Sequence, residues 1–232
     1  MREIILDTET TGLDPTRGDR IVEIGALELL NHLPTGHTFH AYINPERNMP
    51  AEAEAVHGLS SVFLADKPVF GAIAQDFLNF IADSALVIHN ASFDMGFLNA
   101  ELMFLKRPVI PPERVIDTLF LARQKHPGSA NSLDALCRRY GIDNSRRTKH
   151  GALLDSELLA EVYLELIGGR QTALNLVSST GRKMTNANET ILSRTGQRPY
   201  PLPDRLSPAE KEAHALFVMD LGEYALWKKA EV

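Results

Sequence analysis

Short strand-like runs alternate with helical segments over the first 168 residues, and this alternation limits the fold more than any other feature of the chain. Arg20–Leu29 alternates apolar and polar residues, as a half-buried strand does. Phe70–Ile81 has the apolar spacing of a helix, and Ala85–His89 is an apolar run typical of a buried strand. Turn-forming residues at 10–15 separate Arg20–Leu29 from an earlier strand, Glu3–Thr8, which predicts an antiparallel pair. The pattern therefore indicates an α/β fold with a mixed sheet.

The same patterns predict the remaining elements and a division of the chain. The other elements are strands at Thr38–Ile43 and Val115–Asp117 and helices at Ala51–His57, Ser92–Leu105, Ser132–Tyr140 and Gly151–Ile167. After residue 169 the composition shifts to Ser, Thr, Asn, Gly and Pro, which predicts a flexible linker over 170–206. Ser207, Pro208 and Glu210 form a helix-start signal. We therefore expect a folded domain over 1–169 and a C-terminal helix within 207–232.

Composition excludes several protein classes. Hydrophobic residues make up 44% of the chain and charged residues 23%, as in globular proteins. The apolar runs are far shorter than the ~20 residues that a membrane helix needs, and the N-terminal run lacks the length and cleavage site of a signal peptide. The single cysteine, Cys137, excludes an internal disulfide and fits a reducing cytosol. We therefore expect a cytoplasmic protein without a membrane segment.

The charge of the chain is unevenly distributed. The formal net charge is −6, and residues 1–168 contain 23 Asp and Glu against 15 Lys and Arg. An acidic body disfavours tight nonspecific binding of nucleic acid, which depends on neutralising phosphates. It remains compatible with an enzyme that meets a polyanion through bound cations, because the ions reverse the local charge.

Four acids and one histidine stand at the predicted ends of strands and helices. Asp7 and Glu9 are two residues apart on an extended chain, so their carboxylates point to the same face and repel each other unless a cation lies between them. Asp94 follows a predicted strand, and His150 precedes a helix whose second turn carries Asp155. Oxygen ligands without cysteine favour Mg²⁺ or Mn²⁺. Each residue alone has an ordinary explanation as a solvated acid or a loop histidine, so the prediction depends on the whole set.

That set resembles a known family. The segments DTETTG (7–12), HNASFD (89–94) and HGALLD (150–155) are similar to the three exonuclease motifs of the DEDD superfamily, and a histidine five residues before Asp155 is typical of its DEDDh subgroup. The tyrosine subgroup has Tyr where this chain has Gly151. The similarity continues through 56–60, 131–164 and beyond Gly169, where it is to the proofreading subunits of bacterial DNA polymerase III.

The resemblance implies a fold and an activity. The fold is ribonuclease-H-like, with a mixed five-stranded sheet flanked by helices. The activity is that of a metal-dependent 3′→5′ DNA exonuclease, which removes mispaired 3′ nucleotides as 5′-monophosphates within a polymerase assembly. The substrate is then a DNA 3′ end.

The resemblance also implies a role for each motif residue. Asp7, Glu9 and Asp155 hold one of two divalent metal ions (Mg²⁺ or Mn²⁺), Asp7 bridges to the second ion, and Asp94 holds that ion or its waters. One ion activates the attacking water and the other stabilises charge on the leaving 3′ oxygen. His150 is the general base, and its position in a loop lets the ring swing over the metals.

Residues outside the motifs are candidates for holding the substrate. Glu52 and His57 match positions where the family contacts the terminal nucleotide, Glu52 near the 3′ hydroxyl and His57 near the base or phosphate. An alternative for His57 is a helix C-terminal histidine beside Gly58. A basic cluster near the third motif is either a solvated face or a phosphate track for the incoming strand; it comprises Arg138, Arg139, Arg146, Arg147 and Lys149.

Two segments beyond the predicted domain are candidates for binding other proteins. Gln171, Leu174 and Leu176 resemble the QxxLxL peptide with which partners dock on the bacterial sliding clamp (beta). The C-terminal helix is too apolar for a free tail, and we expect it to bind the catalytic (alpha) subunit of DNA polymerase III. A small accessory subunit is a further possible partner. The apolar residues of the helix are Leu216, Phe217, Leu221, Tyr224 and Trp227.

Two other functions compete with proofreading. A free-standing DEDDh exonuclease acting on RNA or short oligonucleotides has the same motifs, but it has no need of a linker and an apolar terminal helix. A structural subunit with a decayed site is the non-enzymatic alternative, and the five intact motif residues disfavour it.

Overall fold

The computed structural model describes residues 1–145, 147, 149–168 and 206–221 of the chain. Five strands form one sheet, and they are Arg2–Thr10 (β1), Ile21–Leu30 (β2), Leu33–Tyr42 (β3), Ala85–Ile88 (β4) and Val115–Asp117 (β5). The strand order is β3-β2-β1-β4-β5, with β1, β2 and β3 antiparallel and β1, β4 and β5 parallel. The predicted mixed sheet and its antiparallel β1–β2 pair are confirmed.

The third strand begins earlier than predicted. It starts at Leu33 and not at Thr38, because Asn31 and His32 form a two-residue turn between Leu30 and Leu33. Both turn residues have a positive φ, 51° and 65°, as tight hairpin turns require. Neither residue is a glycine, so the turn has little signal in the local residue pattern.

The helices flank the sheet. Within the described residues they are Ala51–His57 (α1), Ser61–Leu64 (α2), Phe70–Ile81 (α3), Ala91–Phe104 (α4), Thr118–Lys125 (α5), Leu133–Tyr140 (α6), Ala152–Leu166 (α7) and Pro208–Asp220 (α8). Helices α2 and α5 were not predicted, because they are too short for a clear apolar period. Side-chain caps begin both: Ser60 accepts from a backbone N–H of α2, and Asp117 accepts from two backbone N–H groups of α5.

The two faces of the sheet pack against different helices. Ile4 and Leu6 of β1 are fully buried in a core with Phe77 of α3 and Phe97 of α4. Ile5 points to the other face and packs with residues of α7. Since side chains alternate along a strand, positions 7 and 9 continue the face of Ile5, toward α7.

Gly25 lets helix α7 approach β2 very closely. A Cβ atom at this position would lie 2.2 Å from backbone atoms of Ala152 and Leu153. Ser156 of α7 donates a hydrogen bond from its Oγ to the Gly25 carbonyl at 2.9 Å. The first turns of α7 are therefore held against β2 beside Gly25, which pairs with Asp7 across the β1–β2 ladder.

The chain divides into two compact units, Met1–Leu176 and Val177–Val232. In the second unit, helix α8 begins with the predicted capping box between Ser207 and Glu210. The division into a domain, a linker and a terminal helix at residues 169 and 206 stays a prediction. None of the described helices has the length and apolar character needed to span a membrane.

Candidate active site

The site lies where three parallel strands end. Asp7 and Glu9 are near the carboxyl end of β1, and the register of β1 on β2 shifts immediately after Glu9. Beyond β4, Asn90 has a φ of 62°, a left-handed conformation that asparagine tolerates, and it turns the chain into α4. Asp94 then stands in the first turn of α4. Ligands of open α/β sheets bind outside the carboxyl ends of such strands.

One cavity of about 830 Å³ contains all five predicted motif residues in its lining. The residues come from β1, from α4, from the loop before α7 and from α7 itself. Its lining also includes Arg123 and Arg147, so the acidic site has positive charge at its walls. The five motif residues are Asp7, Glu9, Asp94, His150 and Asp155.

Asp94 is held in place from β1. Its Oδ1 accepts hydrogen bonds from the backbone N–H of Thr8 at 3.1 Å and from the Thr8 Oγ1 at 2.7 Å. The pairing of β1 with β4 ends at Ile5 and Val87, so the Thr8 N–H is free for this bond. Burial raises the pKa of Asp94 to about 7 despite these hydrogen bonds. Asp94 is 3% exposed, so its carboxyl group is most stable when it is protonated or paired with a cation.

Negative charge on Asp7 and Glu9 is energetically unfavourable. Burial, followed by the neighbouring Asp94 and Glu9 carboxylates, raises the pKa of Asp7 well above its usual value. Burial, followed by Asp155 and Glu23, raises the pKa of Glu9 to about 8. Such shifts mean that ionisation of the cluster costs free energy that a bound cation would return.

The donor set fits a divalent cation. Glu9 Oε1 is buried without a hydrogen-bond partner among the described residues, which is unusual for a carboxylate oxygen. One ligand atom each from Glu9, His150 and Asp155 lie within 4.8 Å of one another. Asp7 and Asp94 line the same cavity outside this tight group. The group therefore differs from the predicted ligands of the first ion in having His150 where Asp7 was expected.

Asp155 is paired with a cationic side chain. Arg147 donates from Nε to Asp155 Oδ1 at 2.5 Å and from Nη2 to Oδ2 at 2.7 Å. Burial alone would raise the pKa of Asp155, but the hydrogen bonds and charges of Arg147 and His150 together hold it below its ordinary value. Arg147 therefore compensates the negative charge of Asp155, whereas burial and neighbouring carboxylates raise the pKa values of Asp7 and Glu9.

His150 is anchored through its backbone and its ring. Its backbone N–H donates to the Val56 carbonyl at 3.3 Å, which ties the loop to α1. Its Nδ1 accepts from Arg147 Nη2 at 2.9 Å and lies 3.5 Å from Asp155 Oδ2. The ring is about half exposed, in keeping with the predicted loop position.

Glu52 and His57 line a second cavity of about 500 Å³, which shares Thr8, Glu9 and Phe93 with the first. Glu52 is exposed in the first turn of α1. His57 is 6% exposed, and its Nδ1 accepts from the Leu59 N–H at 3.0 Å. Its Nε2 makes no hydrogen bond of normal geometry within the described residues. Both the terminal-nucleotide role and the helix-end role of His57 remain compatible with this placement.

Sequence reasoning missed the roles of Thr8 and Gly25, and it named Arg147 in the basic cluster without its carboxylate partner. Thr8 holds Asp94, Gly25 admits α7, and Arg147 pairs with Asp155. An isolated glycine in a strand pattern signals a close backbone approach, so Gly25 was detectable. The interpretation of Arg147 as part of a solvated face is wrong, because its side chain is 8% exposed and is bonded to carboxylates.

Several predicted binding residues lie outside the described part of the chain. They are Arg146, Gln171, Leu174, Leu176, Tyr224 and Trp227. On α8, Leu216, Phe217 and Leu221 are exposed, with exposed fractions of 62%, 58% and 39%. The clamp and polymerase contacts therefore stay predictions.

The raised carboxyl pKa values predict a pH-dependent stability without divalent cations. A native group with a raised pKa keeps a proton that the unfolded chain releases, so stability falls as pH rises toward the native pKa. Glu9, at about 8, and Asp94, at about 7, act this way between pH 6.5 and 8. His57 and His89, whose native pKa values burial lowers from 6.5, act in the opposite direction near pH 6.5, because the unfolded chain still holds part of their protons there, so the fall in stability is steepest above pH 7.

We expect the melting temperature in excess chelator to fall by on the order of 5 °C from pH 6.5 to 8, measured by differential scanning calorimetry. Saturating Mn²⁺ should raise the melting temperature and remove most of this slope, because the ions stabilise the ionised cluster. The Glu9→Gln variant, which lacks one titrating group, should show a shallower slope in chelator. Equal slopes with and without Mn²⁺ would contradict the assignment of these carboxylates to a cation site.

The known proteins that match this chain agree with one another in family and fold. A family model described as Exonuclease matches residues 4–163. DNA polymerase III subunit epsilon of Rickettsia felis is 56% identical over 200 residues, which cover 85% of this chain and 87% of that protein. The protein of the same name from Escherichia coli is 42% identical over 238 residues, 98% of this chain and 97% of the relative. The crystallographic nuclease domain of 3′hExo, a DEDDh family member bound to rAMP, matches 72% of this chain and 91% of its own with a TM-score of 0.63 at 20% identity, which supports the fold.

Proposed function

The chain belongs to the exonuclease family of the DNA polymerase III epsilon subunits, and from that membership we propose how its site removes nucleotides. Its activity is the 3′→5′ hydrolysis of DNA by which a replicative polymerase proofreads its product. The observation that carries the assignment of the site is the convergence of four carboxylates and a histidine on one cavity. They are Asp7, Glu9, Asp94, Asp155 and His150.

We propose that the four carboxylates hold two divalent cations, Mg²⁺ or Mn²⁺. Two features support this proposal: Glu9 Oε1 has no hydrogen-bond partner within the described residues, and the pKa values of Asp7 and Glu9 are raised. Both raise the free energy of the ionised site unless a cation binds there. Such ions supply an activated water and stabilise the charge that develops on the leaving 3′ oxygen. Asp94, fixed by Thr8, leaves its Oδ2 to face the cavity or an ion's waters.

His150 is the proposed general base. Its ring lies beside Asp155 and lines the cavity, where it can accept the proton of the attacking water. The water oxygen bonds to phosphorus and the bond from phosphorus to the 3′ oxygen breaks, which releases a nucleoside 5′-monophosphate. The backbone bond from His150 to Val56 keeps the base attached to α1.

The second cavity is the proposed seat of the terminal nucleotide. Glu52 and His57 line it, and it joins the first cavity at Glu9. Because Leu59 donates to His57 Nδ1, the neutral ring carries its proton on Nε2, a buried nitrogen that has to become accessible before it can donate to a nucleotide oxygen or base. A frayed or mispaired end reaches such a pocket at the lowest cost, since its bases are already unpaired.

Membership of the family also places the chain in a polymerase assembly, and we propose which segments make the contacts. The similarity to the E. coli relative extends over 98% of this chain. We propose that α8, with Leu216 and Phe217 exposed, binds the catalytic alpha subunit together with Tyr224 and Trp227. The segment 171–176 is the proposed clamp-binding peptide, and the cytoplasm is the proposed location.

An experiment with two readouts tests these proposals. The full chain and a variant truncated after Leu206 receive a labelled primer–template with a matched or mispaired 3′ end and Mg²⁺. Both proteins should shorten the strand from its 3′ end, faster at the mispair, and release 5′-monophosphates. Endonucleolytic fragments or 3′-phosphates would contradict the proposed reaction.

Binding to the polymerase catalytic subunit, measured by surface plasmon resonance, should be lost in the truncated chain. Trp227→Ala should weaken it by about 2 kcal/mol or more, as anchoring aromatics at interfaces do. Glu212→Ala on the exposed surface of α8 is the matched control and should bind normally. Undiminished binding by the truncated chain would exclude the C-terminal segment as the contact.

A further inference from the structure

Arg147 compensates the negative charge of the buried Asp155 side chain. Its side chain is 8% exposed, and it uses both Nε and Nη2 on the two oxygens of Asp155. Its Nη1 donates to Asp134 Oδ1 at 2.9 Å, and Nη2 also contacts His150 Nδ1 at 2.9 Å. Four of the five N–H groups of this guanidinium are therefore bonded to two carboxylates and a histidine.

A cation at Asp155 would compete with Arg147, because each carboxylate oxygen already accepts one of its N–H groups and the guanidinium charge repels a second cation. Arginine has no acceptor, so the contact with His150 makes Nδ1 the acceptor and leaves the proton of a neutral ring on Nε2. Neither ring nitrogen can then take a proton from water.

We propose that Arg147 is a positioning residue that takes the place of a divalent cation in the metal-free site and is displaced from Asp155 when the cation binds. The inference rests on the proposed metal-dependent function. In the metal-free state Arg147 neutralises Asp155 and keeps His150 inactive. Its displacement frees an Asp155 oxygen for the ion and the Nδ1 lone pair of His150 for catalysis in one movement.

Asp134 is the proposed acceptor of the displaced guanidinium. It stands in the first turn of α6, is 46% exposed at its side chain, and already bonds Arg147. Asn144 donates to the same Asp134 oxygen at 3.0 Å, which keeps this carboxylate oriented toward the loop. Arg147 can therefore leave Asp155 without losing its charge partner, and the His150 loop stays attached to α1 through Val56.

Calorimetric titration of the full-length chain with Mn²⁺ alone tests the exchange. The Arg147→Met variant keeps the aliphatic stem and has no cation to displace, so it should bind Mn²⁺ about tenfold more tightly than the parent chain, equivalent to about one charge-assisted hydrogen bond. Without metal the same variant should melt at a lower temperature, because the buried Asp155 has then lost its guanidinium partner. The Asp134→Asn variant should bind Mn²⁺ more weakly, since the displaced guanidinium has lost its acceptor.

A folded Arg147→Met variant with unchanged or weaker Mn²⁺ affinity would overturn the proposal. Weaker affinity is the result expected of an arginine that orients Asp155 behind the bound metal. If the parent chain binds no Mn²⁺ at all, the proposed metal-dependent function fails instead, so the two failures are distinct.

A second measurement avoids the risk that Arg147→Met folds poorly. Nitrogen NMR of the ¹⁵N-labelled His150 ring in the parent chain reports whether Nδ1 is an accepting nitrogen in contact with a guanidinium. Addition of Mg²⁺ should shift the Nδ1 resonance in the parent chain and much less in Arg147→Lys, whose single ammonium cannot make the forked contact. An Nδ1 resonance that does not respond to saturating Mg²⁺ in the parent chain would also overturn the proposal.

Discussion

Replacing Asp7 by asparagine should reduce exonuclease activity by at least ~10³-fold while leaving the protein folded. The proposed cations contribute several kcal/mol of charge stabilisation in the transition state, and each 1.36 kcal/mol corresponds to a factor of ten. Asparagine keeps the shape of the side chain, which is half-buried beside Glu9 and Asp94. The change removes one of the charges that repel each other there, so the metal-free variant should be no less stable than the parent.

The measurement pairs single-turnover hydrolysis of a 3′-mispaired primer with thermal unfolding in chelator. Asp83→Asn is a matched control, because Asp83 is exposed in the turn before β4, at the opposite end of the parallel strands from the site. It should behave as the parent in both assays. Substantial hydrolysis by Asp7→Asn, or by the parent in excess chelator, would refute the proposed metal-dependent mechanism.

The fold was predictable where a regular period governs the chain. Arg20–Leu29 was expected to be half-buried, but Ile21–Leu27 are buried throughout, because one strand face meets α7 and the other meets α3 and α4. Phe70–Ile81 repeats because one helix face is buried. Such patterns record burial, so they gave β2 and α3 with nearly correct bounds. Helix α5 has only eight residues, which is too few for a clear apolar periodicity. The side chain of its N-cap residue, Asp117, is the main local signal for its start.

The residues of the site could be predicted from the sequence, but the contacts between them could not. The motifs placed Asp7, Asp94 and Asp155 at element ends, and the structure brings them to one cavity. Contacts that depend on tertiary approach have no such signal. Thr8 meets Asp94 across 86 positions of the chain, and nothing in the local sequence announces the pair. Arg147 was grouped with neighbouring cations because sequence proximity shows the charge of a side chain and not the carboxylates around it.

His150→Ala should lower kcat by ~10²–10⁴-fold, the range typical of a lost general base, with Mn²⁺ affinity nearly unchanged. The structure makes this a sharp test, because a ring nitrogen of His150 also lies within 4.8 Å of ligand atoms of Glu9 and Asp155. A base and a metal ligand therefore predict different results for the same variant. Loss of the base reduces turnover alone, whereas loss of a ligand reduces metal affinity as well.

The pH profile gives the second readout for His150. A histidine that must be neutral to accept a proton gives an acidic limb, along which kcat rises with pH as the imidazole loses its charge. We expect that limb in the parent chain at saturating Mn²⁺ and expect it to be absent in His150→Ala. His37→Ala is the matched control, since the His37 ring is 77% exposed on β3 and, within the described residues, pairs with Glu28. A His150→Ala variant with parental turnover would remove His150 from the chemistry, and one with normal turnover only at high Mn²⁺ would make it a metal ligand.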